Sequence, residues 1–298
     1  MKTISYKDPV QQELIGIAYC DYGSGQPVVL IHGWPLSKEM WEYQWSDLVD
    51  NGNRVISYDR RGFGSSSKPW LGYDYDSLAA DLDALIVNLD LREVILVGFS
   101  MGSGEVARYL KHYGRNRISS VVLISPVLPF LMKTNGNPSG VDPAVFSEMI
   151  SGIKTDRIGF LETFLKDFFG TSLLNKPVDK PLQEYYRGLA ARAAMHATVH
   201  CITSFSATDF RPDLEAMDLP VLLVHGDKDA VVPREASSDR LTELLPQVQY
   251  AVYADAPHGL FYTHRGRLNK DLVNFINGIP YQQDTQESLP PVIPPILF

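Results

Sequence analysis

Two hydrophobic periods alternate along this chain. Residues 13–21 and 27–31 read as strands, the second through the unbroken apolar run Val28-Val29-Leu30-Ile31 of a strand buried on both faces. Trp41, Trp45, Leu48 and Val49 recur at helical spacing, and Gly52 follows as a stop signal. Residues 54–58 read as the next strand. Leu78, Leu82, Leu85, Ile86 and Leu89 then mark one face of a long helix, with Asp76 as its expected N-cap. A strand over 93–98, a helix over 101–113 and a strand over 118–125 continue the series. Such β-α repetition calls for right-handed crossovers and a parallel sheet covered by helices on both faces.

After Ser125 the rhythm breaks. Residues 127–215 are helical in pattern, rich in Phe and without a sheet strand, which predicts an inserted helical cap. Alternation resumes with a strand over 220–225, a helix over 235–245, a strand over 248–253 and a helix over 265–276. The expected organisation is an α/β core of residues 1–126 and 216–279, a cap of 127–215, and a tail of 280–298. That tail holds five prolines and neither period, as an irregular or polyproline segment would.

Composition removes whole classes of function. Hydrophobic residues make up 45% and charged residues 21% of the 298, as in an average globular protein and unlike a disordered chain. Apolar runs such as 28–31 and 121–124 fall far short of the roughly 20 residues that span a bilayer. Residues 1–8 alternate polar and apolar with no apolar core, which predicts no signal peptide and a cytoplasmic address. The 27 basic and 35 acidic residues leave a net charge of −8, and the basic ones are scattered in pairs such as Arg60 and Arg61. Neither nucleic acid nor membrane is therefore an expected partner. Cys20 and Cys201 lack metal or redox spacing and are expected to be reduced core residues.

Chemistry concentrates at Gly98-Phe99-Ser100-Met101-Gly102, between a strand and a helix, where such a pattern forms a nucleophile elbow. A sharp strand-to-helix turn strains the serine, so both positions two residues away must lack bulk. The helix start behind it favours developing negative charge. A serine is inert near neutral pH without a base. Of the seven histidines, His258 in Ala256-Pro257-His258-Gly259 is best placed, after the last strand and before the last helix. His225 closes an apolar strand and reads as a satisfied core histidine; His112 and His264 belong to helices. The acid should follow the preceding strand, in the segment His225-Gly226-Asp227-Lys228-Asp229. Asp227 suits the tight turn, whereas Asp229 lies further out and can reach a neighbouring histidine, so Asp229 is the choice. An acyl-transfer site also needs two backbone N–H donors for an oxyanion. Met101 supplies one, and Trp34 in His32-Gly33-Trp34-Pro35 the other, because Pro35 has no N–H. His32 then supports the loop and is not a base.

From about residue 25 to 279 the chain resembles the α/β-hydrolase superfamily, and within it the cofactor-free (non-haem) haloperoxidases, aryl esterases that double as perhydrolases, and γ-lactamases. The resemblance rests on residues 28–36, 58–66 (YDRRGFGSS), 72–76, 97–110 (VGFSMGSGEVARYL), 208–212, 225–233 and 256–260. Departures lie at 154–187 and after Ile279. It implies a mostly parallel eight-stranded sheet, Ser100 as nucleophile, Asp229 as acid, His258 as base, homo-oligomers, and no metal or other cofactor. Small esters are the implied substrates, with hydrogen peroxide as a second deacylating partner. A γ-lactam or lactone, a C–C bond substrate, or a non-catalytic receptor on the same fold are the competing expectations. Relatives that cleave haloalkanes or epoxides need an aspartate at position 100, where this chain has serine.

Phe99, Val127, Phe205, Val231, Leu260 and Pro35 sit on segments expected to converge into a small apolar pocket at Ser100. His196 and His200 share helical spacing but have no evident third ligand for a metal. Gly62-Phe63-Gly64 lacks the third glycine of a dinucleotide loop. Phe160, Phe164 and Phe168 form a helical row that suits either core or pocket. Pro35 generates the first prediction. A proline after the donor residue holds φ near −65° and should turn the Trp34 carbonyl toward an incoming peroxide. One hydrogen bond is worth about 0.5–1.5 kcal/mol, a partition of roughly 2- to 13-fold. Pro35→Leu is expected to lower the ratio of monochlorodimedone bromination to p-nitrophenyl acetate hydrolysis while ester cleavage persists. Equal loss of both would leave Pro35 a mere loop support.

Overall fold

In the computed structural model, which describes residues 2–279 and 281, the strands are β1 (Lys2–Lys7), β2 (Leu14–Gly23), β3 (Gln26–Ile31), β4 (Asn53–Tyr58), β5 (Val94–Phe99), β6 (Ile118–Ile124), β7 (Val221–Gly226) and β8 (Gln249–Tyr253). The helices are α1 (Glu42–Asp50), α2 (Tyr75–Asn88), α3 (Met101–Tyr113), α4 (Pro143–Phe168), α5 (Lys180–Ala191), α6 (Met195–Ala207), α7 (Ser238–Leu244), α8 (Leu260–Thr263) and α9 (Arg265–Ile276). Apart from Tyr281, the expected tail of 280–298 lies outside the described residues. One sheet orders its strands β1-β2-β4-β3-β5-β6-β7-β8, antiparallel across the first two pairings and parallel from β4 to β8. This is the expected mostly parallel eight-stranded sheet. No described helix is long and apolar enough to cross a membrane.

Pleat alternation splits the core into two layers. Val29, Ile31, Leu96 and Leu123 pack with Leu78 and Leu82 of α2 on one face. Val28, Leu30, Val97 and Val122 pack with Trp41 and with Leu268 and Leu272 of α9 on the other. Only Ile4 of β1 is buried, so that edge strand carries almost no pattern. The cap of α2 is Asp74, whose carboxylate accepts the Ser77 N–H at 2.9 Å, and not Asp76, which pairs with Arg108. Between β6 and β7 the chain runs through α4, α5 and α6. Asp156 breaks α4 (φ −149°, ψ 89°), and its carboxylate accepts the N–H of Gly159 at 3.0 Å to restart the helix. Cys201 is buried as expected, but Cys20 on β2 is only half-buried.

The paired arginines after β4 are not surface charges: both are fully buried. Arg61 pairs with Asp8 at 2.8 Å and with Asp81 at 2.7 Å, tying the edge hairpin to α2. Arg60 pairs with the fully buried Glu105 of α3, which also accepts the Tyr58 hydroxyl at 2.6 Å. Removing one member of a buried ion pair leaves its partner charged and unsolvated, which costs about 3–5 kcal/mol, whereas losing an exposed helix cap costs about 1 kcal/mol. Glu105→Leu is therefore expected to lower the urea midpoint several times more than Asp74→Ala. Equal midpoints for the two variants would contradict the weight given to the pair.

Candidate active site

Ser100 sits at the junction of β5 and α3 with φ 52° and ψ −119°, a conformation that costs a non-glycine residue energy. The surroundings impose it. Its N–H donates to Ile124 O at 2.8 Å, and the Ser103 hydroxyl donates to its carbonyl at 2.6 Å. A Cβ on Gly98 would lie 2.8 Å from Gly102 O, and one on Gly102 would lie 2.7 Å from Ile31 O. Both glycines are there because β3, β5 and α3 pass too closely for any side chain.

The loops after β7 and β8 bring the other two groups to Ser100. His258 Nε2 is 3.0 Å from Ser100 Oγ, and His258 Nδ1 is 2.7 Å from Asp229 Oδ2. All three residues are buried. The other carboxylate oxygen of Asp229 accepts the N–H groups of Val231 at 2.9 Å and Val232 at 2.8 Å. Burial pushes the Asp229 carboxyl up, but the adjacent imidazole of His258 and the hydrogen bonds from His225 and His258 prevail and hold it below the usual carboxylate range. Asp227 is exposed, and its backbone N–H bonds Tyr253 O at 3.0 Å; the turn is closed instead by Asp229 N–H on Gly226 O.

On the opposite side lies the loop after β3. Among the described residues, neither the Trp34 nor the Met101 backbone N–H donates to another protein group. The Trp34–Pro35 bond is cis. His32 is fully buried: Nδ1 donates to Gly33 O at 2.9 Å, and Nε2 accepts the Arg60 N–H at 3.0 Å. Burial first, and the Arg60 charge second, drive its pKa well below the ordinary histidine value, so it is neutral. A neutral imidazole with both nitrogens engaged is a brace, in accord with its assignment as a loop support.

Ser100 opens on a narrow cavity where every other lining side chain is apolar or aromatic. Val127, Phe205 and Val231 line it as expected, with Trp34 and Phe164 beside them. Three expected wall residues do not. Phe99 alternates to the far side of β5, where it packs against Trp41, Phe261 and the His258 ring (4.8 Å). Leu260 is buried in the same layer, and Pro35 is buried beside the cavity without lining it. Phe168 shields the His258 ring at 5.0 Å. The missed walls are Leu131 and Val141 from the segment before α4, Val145, Phe146 and Met149 from its first turns, and Val232 from the loop after β7. Their only sequence signal is the helical recurrence of Val145, Phe146 and Met149 after Pro143. His196 and His200 turn instead to the rings of Trp70 (4.5 Å) and Tyr73 (5.9 Å).

Comparisons with known sequences and structures find the same fold. A family model described as the alpha/beta hydrolase fold matches residues 26–265. A putative non-heme chloroperoxidase of Synechocystis sp. is 46% identical over 263 residues, 88% of this chain and 95% of its own. A bifunctional esterase/perhydrolase of Acinetobacter calcoaceticus is 36% identical over 88% of this chain and 96% of its own. The crystal structure of a bromoperoxidase from Bacillus anthracis matches with a TM-score of 0.88 and 46% identity, over 93% of this chain and 100% of that one.

A narrow cavity walled by Phe146, Met149, Phe164 and Phe205 accommodates a short acyl chain best. Acetyl to butyryl p-nitrophenyl esters are expected to give higher kcat/KM than decanoyl esters below their critical micelle concentration. Faster turnover of the decanoyl ester would require a channel beyond the Phe146 and Met149 wall.

Proposed function

The chain belongs to the alpha/beta hydrolase family and is an enzyme of that superfamily; on that premise we propose that it cleaves small carboxylic esters through an acyl-enzyme on Ser100. The observation that carries this reading is the buried chain Ser100–His258–Asp229, linked at 3.0 and 2.7 Å, opening on an apolar cavity. His258 Nε2 accepts the Ser100 proton as Oγ attacks the acyl carbonyl. Two unspent N–H groups, Trp34 and Met101, face the oxygen that becomes negative. Asp229 stays ionised and pairs with the imidazolium, which then returns its proton to the departing alcohol.

Deacylation runs the same steps with a small nucleophile in place of serine. Water yields the carboxylic acid. Hydrogen peroxide, deprotonated by His258, yields the peracid and frees Ser100. A peracid oxidises a halide ion to hypohalous acid by giving up its distal oxygen, leaving carboxylate, and this step needs no group on the protein. The names of the relatives, a bifunctional esterase/perhydrolase and a putative non-heme chloroperoxidase, support this second route.

Ser100→Ala is expected to remove both activities by about 10⁶-fold in kcat, as complete loss of a serine nucleophile does in other hydrolases, with an unchanged thermal midpoint. Fluorophosphonate should label the native protein stoichiometrically and the variant not at all. A variant that keeps a tenth of the esterase rate would refute the assignment.

A further inference from the structure

A second histidine stands on the same carboxylate. His225, at the C-terminal end of β7, is fully buried. Its Nε2 lies 3.2 Å from Asp229 Oδ2 and 2.9 Å from Val232 O, while its Nδ1 lies 2.6 Å from Ser238 Oγ. Because a carbonyl only accepts, Nε2 carries a proton, and that N–H is shared between Val232 O and Asp229 Oδ2. Nδ1 is then free to accept the Ser238 hydroxyl.

We propose that His225 is a positioning residue for the reaction: its Nε2–H holds Asp229 Oδ2 against His258 Nδ1 and moderates the basicity of that carboxylate. This rests on the reading of Ser100, His258 and Asp229 given above. Without His225, Asp229 keeps three donors: the Val231 and Val232 N–H groups on Oδ1 and His258 on Oδ2. The bond from His258 Nδ1 remains, but nothing on the carboxylate's other flank then fixes the angle at which Oδ2 meets the imidazole. The titratable groups facing Asp229 are His258, from the loop after β8, and His225, from β7. Ser100 and the rings of Phe99 on β5 and Phe168 on α4 also face His258.

The sign of the effect follows from the donor count. A hydrogen bond to a carboxylate favours its anionic form, so losing one makes Asp229 more basic. A more basic carboxylate stabilises the His258 imidazolium, and the acidic limb of kcat/KM, which reports the free enzyme's base, moves to higher pH. Loss of orientation lowers kcat and leaves KM alone.

The test compares His225→Leu, which removes the donor, with His225→Gln, whose amide nitrogen reaches the place of Nε2. Thermal midpoint and fluorophosphonate titre give the folded, labelled fraction of each preparation. Per labelled site, His225→Leu is expected to lower kcat for p-nitrophenyl acetate roughly 10- to 100-fold. Its acidic limb should rise by about half a pH unit. His225→Gln should recover most of both. A His225→Leu enzyme with the native limb, whose loss is only its unfolded fraction, would overturn the proposal and leave the nucleophile assignment intact. Full activity in Ser100→Ala would overturn both. If His225→Leu does not fold, Ser238→Ala decides: a limb displaced upward supports the proposal, and an unmoved limb overturns it.

Discussion

The site depends on one buried guanidinium. Arg60 donates through Nη2 to His32 O at 2.6 Å and pairs with Glu105 on α3. Its backbone N–H meanwhile fixes the tautomer of His32. Three segments far apart in sequence are locked together by this residue: the loop carrying Trp34, the end of β4, and the helix whose first residue is Met101. The two unspent N–H groups come from the first and the last of these. A buried charge tolerates no missing partner, so the spacing between them has little freedom to drift.

Strain at Ser100 makes sense inside that frame. β3, β5 and α3 pass so closely at Gly98 and Gly102 that a Cβ there would come within 3 Å of a backbone oxygen, and the serine backbone absorbs the misfit. In return its hydroxyl leaves the sheet and meets His258, itself walled by Phe99 and Phe168. The polar path from Ser100 to Asp229 runs through apolar surroundings, where water does not compete for its hydrogen bonds. A short ester has room above Ser100, and little besides the serine and the two amides offers it a polar contact.

Much of this was legible in the sequence because its causes are local. Strands buried on both faces write continuous apolar runs, and the elbow, the Asp229 segment and Pro257-His258-Gly259 announce turns by their own residues. What escaped depends on partners distant in the chain. Arg60 and Arg61 look like surface charges until Glu105, Asp8 and Asp81 are folded onto them. His225 was legible as a satisfied core histidine, but its contact with Asp229 exists only once the loop curls back. Phe99 adjoins Ser100 in the chain, yet strand pleating sends neighbours to opposite faces. The wall from Leu131 to Met149 flanks a Gly-, Asn- and Pro-rich turn over 134–140 that marks a bend but not which face its flanks present, and β1 buries a single residue.

An acyl group that passes through Ser100 can be caught there. Protein mixed with p-nitrophenyl acetate and quenched in acid within the first turnover would be digested and mapped by mass spectrometry. An acetyl group is expected on the peptide containing Ser100, lost faster on chase with hydrogen peroxide than with water alone. Acetyl on another residue, or steady turnover with no acetylated peptide at any quench time, would contradict it.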